Sequence, residues 1–154
     1  MDVSIQTASR EHLTGIHELV LQWGYQASEH ETLEWLDALN NSANNQLFVA
    51  LSGDLVVGWA AVEKRITLGT GHIAEITGLV VRAGFRRSGV GKVLVSAAEQ
   101  WSRALELPRV VVRSNVTRAE AHQFYPSMGF ELTKTTNVYE KDLSNPADAT
   151  SPSA

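Results

Sequence analysis

Between His72 and Leu105 the chain changes its hydrophobic period once, and that change constrains the fold more than any other feature. Ile73, Ile76, Leu79, Val80 and Val81 give HIAEITGLVV the β-branched and aliphatic weight of a strand. Val90, Val93, Leu94, Ala97, Ala98, Trp101 and Leu105 then recur at spacings of three and four, the stripe of an amphipathic helix. The loop between them holds Gly84, Gly89 and Gly91 together with Arg86, Arg87 and Lys92. A strand that feeds a glycine-rich, basic turn into a helix is a phosphate cradle. The first N–H groups of the helix have no intrahelical acceptor, and the helix dipole adds partial positive charge there.

The spacing excludes two common phosphate loops. Gly84 and Gly89 have the first interval of a Walker loop, but Val90 stands where Lys is required. Gly89 and Gly91 start a dinucleotide fingerprint, but Leu94 occupies its third position. What remains is Arg86-x-x-Gly89-x-Gly91, placed directly after a strand that contains Glu75. Further on, the passage from Arg118 to Phe130 reads as a helix that carries Phe124-Tyr125 and ends at Gly129-Phe130. The two motifs, in this order and at this separation, resemble the acetyl-CoA loop and the second signature of the GNAT family of N-acetyltransferases. The resemblance spans Val3 to Leu143 and is weakest at its N-terminal part. The central passage is similar to aminoglycoside 6′-type members.

Composition narrows the alternatives. A chain of 154 residues suffices for one domain with a sizeable core. Its 44% hydrophobic and 19% charged content is that of a soluble globular protein. A net charge of −4 supplies no basic field for nucleic acid or an anionic membrane. The local cluster of Arg82, Arg86, Arg87 and Lys92 therefore suits a small polyanion. The absence of cysteine removes disulfides, Cys-zinc sites and a Cys nucleophile, and accords with a cytoplasmic location. No metal motif is evident: His12 and His17 do not share a helix face, and His30 begins no zincin pattern. The N-terminus lacks the basic and apolar regions of a signal peptide, and no apolar run is long enough to span a membrane.

In chain order, Val3–Thr7 is a short strand. Ser9 opens a helix to about Gln22, closed by Gly24, and Ser28 with Glu31 forms a capping box for a second helix. Gln46–Ser52 and Leu55–Arg65 are strands joined at Gly53-Asp54. After the central strand, loop and helix, Pro108 is expected to stop the helix. Arg109–Ser114 is a buried-type strand, Thr117–Ser127 a helix, and Phe130–Lys134 with Asn137–Leu143 a closing pair of strands. From Ser144 a tail without apolar anchors is expected to be disordered, leaving residues 1–143 as a single domain. The fold class is α/β, or α+β in some schemes: a mixed, mostly antiparallel twisted sheet with helices on both faces. The resemblance implies that strands four and five splay apart and that the cofactor's pantetheine arm lies in the gap.

The resemblance also assigns roles. Arg86, Arg87, Ser88, Gly89, Val90, Gly91 and Lys92 would hold the pyrophosphate. Leu79, Val80 and Val81 would meet the pantetheine arm, chiefly through backbone groups of Leu79 and Val81. Gly78, unusual inside a strand, marks a bulge or a close backbone approach, and a bulge would free an N–H for the thioester carbonyl. Glu75 would be the general base, with anchoring of a cationic acceptor or a solvent-facing position as alternatives. Tyr125 would protonate the CoA thiolate, or simply pack against Phe124. Asn115 would bond the pantetheine chain or cap a turn, and His122 reads as structural. Trp23, Tyr25 and Trp35 would line the acceptor pocket, with burial in the core as the alternative for the two Trp.

The resemblance thus implies acetyl transfer from acetyl-CoA, without a metal, to the primary amine of a small molecule by direct transfer in a ternary complex. A protein N-terminal or lysine acceptor is the alternative within that class. A non-catalytic acetyl-CoA sensor is the alternative outside it. The Asn137–Leu143 strand, as an exposed edge, is a candidate for homodimer pairing.

Overall fold

The computed structural model describes residues 2–144, and the expected tail beyond Ser144 lies outside them. The described residues divide into two compact units, one running to Thr117 and the other starting at Arg118.

The first unit is a five-stranded sheet in the order β1-β2-β3-β4-β5. Its strands are β1 (Ser4–Thr7), β2 (Asn45–Ser52), β3 (Leu55–Thr67), β4 (Gly71–Val81) and β5 (Val110–Val112). The first three pairings are antiparallel, and β4 pairs with β5 in parallel. The β2–β3 hairpin turns on Gly53 and Asp54, with Gly53 left-handed at φ 60°.

Two cores flank the sheet. Helices α1 (Leu13–Trp23) and α2 (Glu29–Asn40) cover one face, where Ile16, Leu19 and Leu36 pack on Leu47, Val49, Val56 and Trp59. Helix α3 (Val90–Ala104) covers the other, where Val90 and Leu94 pack on Ala50, Val57 and Ala60. Gly58 permits this approach, because a Cβ there would lie 2.9 Å from Leu94 Cδ1 and 3.1 Å from Val90 Cγ1.

Local chemistry sets the helix ends. Arg10–His12 forms a 3₁₀ turn before α1, shortening the helix expected from Arg10. Gly24 closes α1 at φ 109°, donating to Leu21 O while Tyr25 N donates to Val20 O, a Schellman cap. Ser28 Oγ accepts from Glu31 N at 3.0 Å and Glu31 Oε1 accepts from Ser28 N at 2.9 Å, completing the capping box of α2. Helix α3 ends before Pro108 is reached. Glu106 takes φ 59° and donates to Arg103 O while Leu107 N donates to Ser102 O, so a Schellman cap without glycine, not proline, stops it.

The second unit contributes α4 (Ala119–Ser127). The closing strands expected at Phe130–Lys134 and Asn137–Leu143 are absent: residues 130–143 carry no strand assignment, and 131–143 are exposed. Their alternation of apolar and polar residues satisfies a strand's side-chain pattern, but a strand also needs a partner for its backbone. The edge-strand basis for a homodimer goes with them.

Candidate active site

The centre of the site is the second half of β4. Strand β5 pairs with β4 only from Ala74 to Ile76, so within the first unit residues 77–81 have no strand beyond them on that side. The register fixes which backbone groups face the gap. Arg82 N donates to Val57 O, so by antiparallel alternation Val80 bonds toward β3 while Leu79 and Val81 turn their N–H and C=O outward. These are the two residues whose backbone was expected to meet an extended ligand. One of the groups is already engaged: Val81 O accepts from Gln22 Nε2 at 2.9 Å. Gln22 Oε1 in turn accepts from Ala83 N at 2.9 Å, so one α1 side chain clamps the end of β4 to the start of the loop. Nothing in the sequence marks Gln22, because its role depends on a contact spanning 59 positions.

The strand is bulged where Gly78 suggested. Gly78 faces Ala61 and Ile76 faces Val62, leaving Thr77 as the extra residue. Gly78 itself answers to packing. A Cβ there would lie 2.6 Å from Trp59 Cζ3 and 3.2 Å from Trp23 Cη2.

Past Val81 the chain enters the cradle. Gly84, Arg87 and Gly89 all take left-handed φ, at 92°, 64° and 90°. Arg87 is one of two described non-glycine residues to do so. Left-handed residues in a loop of this kind are the backbone conformation from which anion-binding nests are built. Arg86, Arg87, Ser88, Gly89 and Lys92 are exposed, and Gly91 is half-buried. Arg82 leaves the cluster that its sequence position suggested. Its Nε donates to Val56 O at 2.8 Å, and its guanidinium lies 3.6 Å from Glu18.

Glu75 is not solvent-facing. It is buried, and its Oε1 lies 2.7 Å from Arg65 Nη1 and 3.3 Å from Arg113 Nε. Glu63, opposite it on β3, also reaches Arg65, at 3.4 Å. Asn115 takes up the turn alternative, with Oδ1 accepting from Thr117 N at 2.9 Å and Thr117 Oγ1 at 2.8 Å.

On the α1/α2 face of β4 lies a cavity of about 310 Å³. Trp23, Tyr25 and Trp35, the three aromatics expected at the acceptor pocket, all line it. Trp59, Thr77 and Gly78 line it too, so the bulge belongs to its wall. Trp23 and Trp59 meet edge-to-face with ring centroids 5.3 Å apart. Glu75 is not among the lining residues. Trp59 was missed in the sequence, because alternation marks it only as an inward-facing strand residue. Its buried indole N–H has no hydrogen-bond acceptor among the described residues.

In the second unit, α4 holds Tyr125 through its own C-terminus. Gly129, at φ 91°, donates to Pro126 O, and Phe130 N donates to Tyr125 O at 3.1 Å. The Phe130 ring packs on Tyr125, with centroids 5.7 Å apart. The Gly-Phe signature is thus a Schellman cap with its hydrophobic contact, and both halves of it grip Tyr125. Burial raises the phenol's pKa above its ordinary 10.0, partly offset by Arg118. His122 is exposed. Among the described residues, no group of three or more His, Cys, Asp or Glu is arranged to hold a metal ion.

A parallel pair that parts beside a bulge and runs into a left-handed basic loop at a helix start places an open strand edge next to a glycine-rich cationic turn in a mixed α/β fold. The Acetyltransferase (GNAT) family model matches residues 12–130, and the chain belongs to that family. An uncharacterised N-acetyltransferase of Bacillus subtilis (strain 168), YhdJ, is 26% identical over 128 residues, covering 82% of this chain and 90% of that one. Among solved structures, AAC(6')-Iy in complex with a bisubstrate analogue superposes with a TM-score of 0.83 at 18% identity, covering 92% of this chain and 99% of that one. The aminoglycoside 6'-N-acetyltransferase AAC(6')-IG of Acinetobacter haemolyticus gives 0.78 at 22% identity, covering 90% and 98%. A transcriptional regulator of Bacillus halodurans C-125 gives 0.82 at 21% identity, covering 91% and 100%.

Proposed function

We propose that this chain is an acetyl-CoA-dependent N-acetyltransferase acting on the primary amine of a small molecule, with residues 1–143 working as one domain. The observation that carries the reading is the outward-turned edge at Leu79 and Val81 leading into the Arg86–Lys92 loop. An extended pantetheine arm adds to such an edge as a further strand would, and the loop's N–H groups and cations meet the pyrophosphate. A complex of AAC(6')-Iy with CoA, at 19% identity and a TM-score of 0.83, supports the choice of cofactor.

The transfer is direct. The amine nitrogen attacks the thioester carbonyl carbon, and a C–N bond forms. The carbonyl oxygen becomes an oxyanion, met by a backbone N–H freed at the Thr77 bulge. When the intermediate collapses, the C–S bond breaks and its electron pair goes to sulfur. Glu75, directly or through water, takes the proton from nitrogen, and Tyr125 gives one to the thiolate. A phenol held above its ordinary pKa stays protonated at neutral pH, as an acid must.

Calorimetric titration with acetyl-CoA, followed by assay of released CoA thiol with a panel of amines, tests the reading. The protein carries no cysteine to add background. Micromolar binding with amine-dependent thiol release is expected. Binding without release to any amine, peptides included, would favour a sensor, and no binding would end the assignment of the loop.

A further inference from the structure

We infer that the acceptor is a monoamine on a compact apolar or aromatic tail, and not a polycation, an inference that rests on the acetyltransferase reading above. The argument is the chemistry of the 310 Å³ cavity. Its wall is built chiefly of Trp23, Trp35, Trp59, Tyr25, Leu36 and Leu39, and further aliphatic side chains line it as well. No Asp, Glu, Lys, Arg or His stands among its lining residues.

The polar groups present are few and neutral. Thr32 Oγ1 donates to Ser28 O at 2.9 Å, so its hydroxyl hydrogen is engaged within α2. Thr77 Oγ1 donates to Ala61 O at 3.4 Å, and Gln26 is exposed. Glu75 lies outside the wall and holds Arg65 and Arg113 instead. An acceptor with several ammonium groups would bring charges against indole and aliphatic surface with no carboxylate in that wall to receive them, which costs more than aromatic faces return. A single amine aimed at the Thr77–Gly78 end of the cavity leaves its apolar tail among the rings.

Position and size agree. The cavity wall includes the bulge of the same strand whose open edge takes the cofactor, so an amine at that end approaches the thioester. Its volume lies at the small end of ligand pockets, which run from roughly 300 to 1,000 Å³. The wall also assists the chemistry. An apolar surrounding disfavours the ammonium form, so it supplies part of the deprotonation otherwise left to Glu75.

The test compares β-phenylethylamine and tryptamine with spermidine and kanamycin, using the full chain and saturating acetyl-CoA, by kcat/KM from thiol release. A preference of about 100-fold for the aryl monoamines is expected, the scale of burying one aromatic side chain. Equal or better turnover of the polycations would overturn the inference while upholding the acetyltransferase. A second measurement stands independent of turnover. Trp23, Trp35 and Trp59 make the cavity fluorescent, so β-phenylethylamine is expected to perturb tryptophan emission saturably in the acetyl-CoA complex, and kanamycin is not. Absence of both turnover and fluorescence change with the aryl amines would overturn the inference. Fluorescence change without acetyl transfer to any amine would uphold the cavity assignment and overturn the catalytic reading.

Discussion

Glu75 and Tyr125 show how differently two proposed catalytic residues are held. Glu75 is buried beside two guanidiniums, which fix its carboxylate in place. Glu75→Gln is expected to lower kcat about 100-fold, as removal of a general base does. An unchanged kcat with a lower melting temperature would assign the carboxylate to holding Arg65 and Arg113. Tyr125 is set apart by burial, which raises its pKa above 10.0. Tyr125→Phe is expected to keep acetyl-CoA affinity and to lose about 100-fold in kcat. Because a raised pKa keeps the phenol protonated below that value, any alkaline limb between pH 7 and 9 belongs to another group, and Tyr125→Phe should leave its midpoint unmoved. A shift of that midpoint would refute the assignment. The acidic residue on the strand and the Phe-Tyr pair were legible in the sequence. The two arginines around Glu75 were not, since Arg65 and Arg113 come from β3 and from the segment after β5.

At the scale of elements, two turns carry the proposed chemistry, and each holds a left-handed glycine. Gly129→Ala would place a Cβ at φ 91°, with about 1–2 kcal/mol of strain, and loosen the cap that grips Tyr125. A lower kcat with little change in acetyl-CoA affinity is expected, measurable by titration and initial rates. Gly89→Ala, at φ 90°, should do the reverse, raising the Kd for acetyl-CoA about tenfold through the loop's shape. If both variants weakened binding alike, the separate roles given to these turns would be wrong. The caps of α1 and α2 were readable because Ser28, Glu31 and Gly24 signal locally. The stop of α3 at Glu106 was not, because nothing in a glutamate's chemistry announces left-handed backbone. The closing strands failed for a related reason: residues 130–143 have the alternation of strands and no pairing, and pairing is not a local property.

On the scale of the whole chain, the basic loop and the apolar cavity share no residue. The chain carries −4 overall, yet its exposed loop gathers Arg86, Arg87 and Lys92, while the aromatic cavity opens on the α1/α2 face. Raising ionic strength from about 0.05 to 0.5 M should therefore raise the KM for acetyl-CoA several-fold and leave that for an aryl amine unchanged. A parallel rise of both would place charge in the acceptor site. Gln22 ties the two regions, since it bonds both Val81 and Ala83 from the helix that also carries Trp23. No described helix is long and apolar enough to cross a membrane. By itself the sequence determined the strand, loop and helix at the centre, the glycine-rich and cationic character of the loop, the family and most helix boundaries. Each of these follows from period, glycine placement and capping side chains that act within a few residues. Only the tertiary structure decided that Leu79 and Val81 face an open edge, that the bulge falls at Thr77, that Glu75 is locked between arginines and that the cavity beside β4 is apolar. Those depend on register and on contacts between distant positions, where what a residue meets, and not what it is, fixes its role.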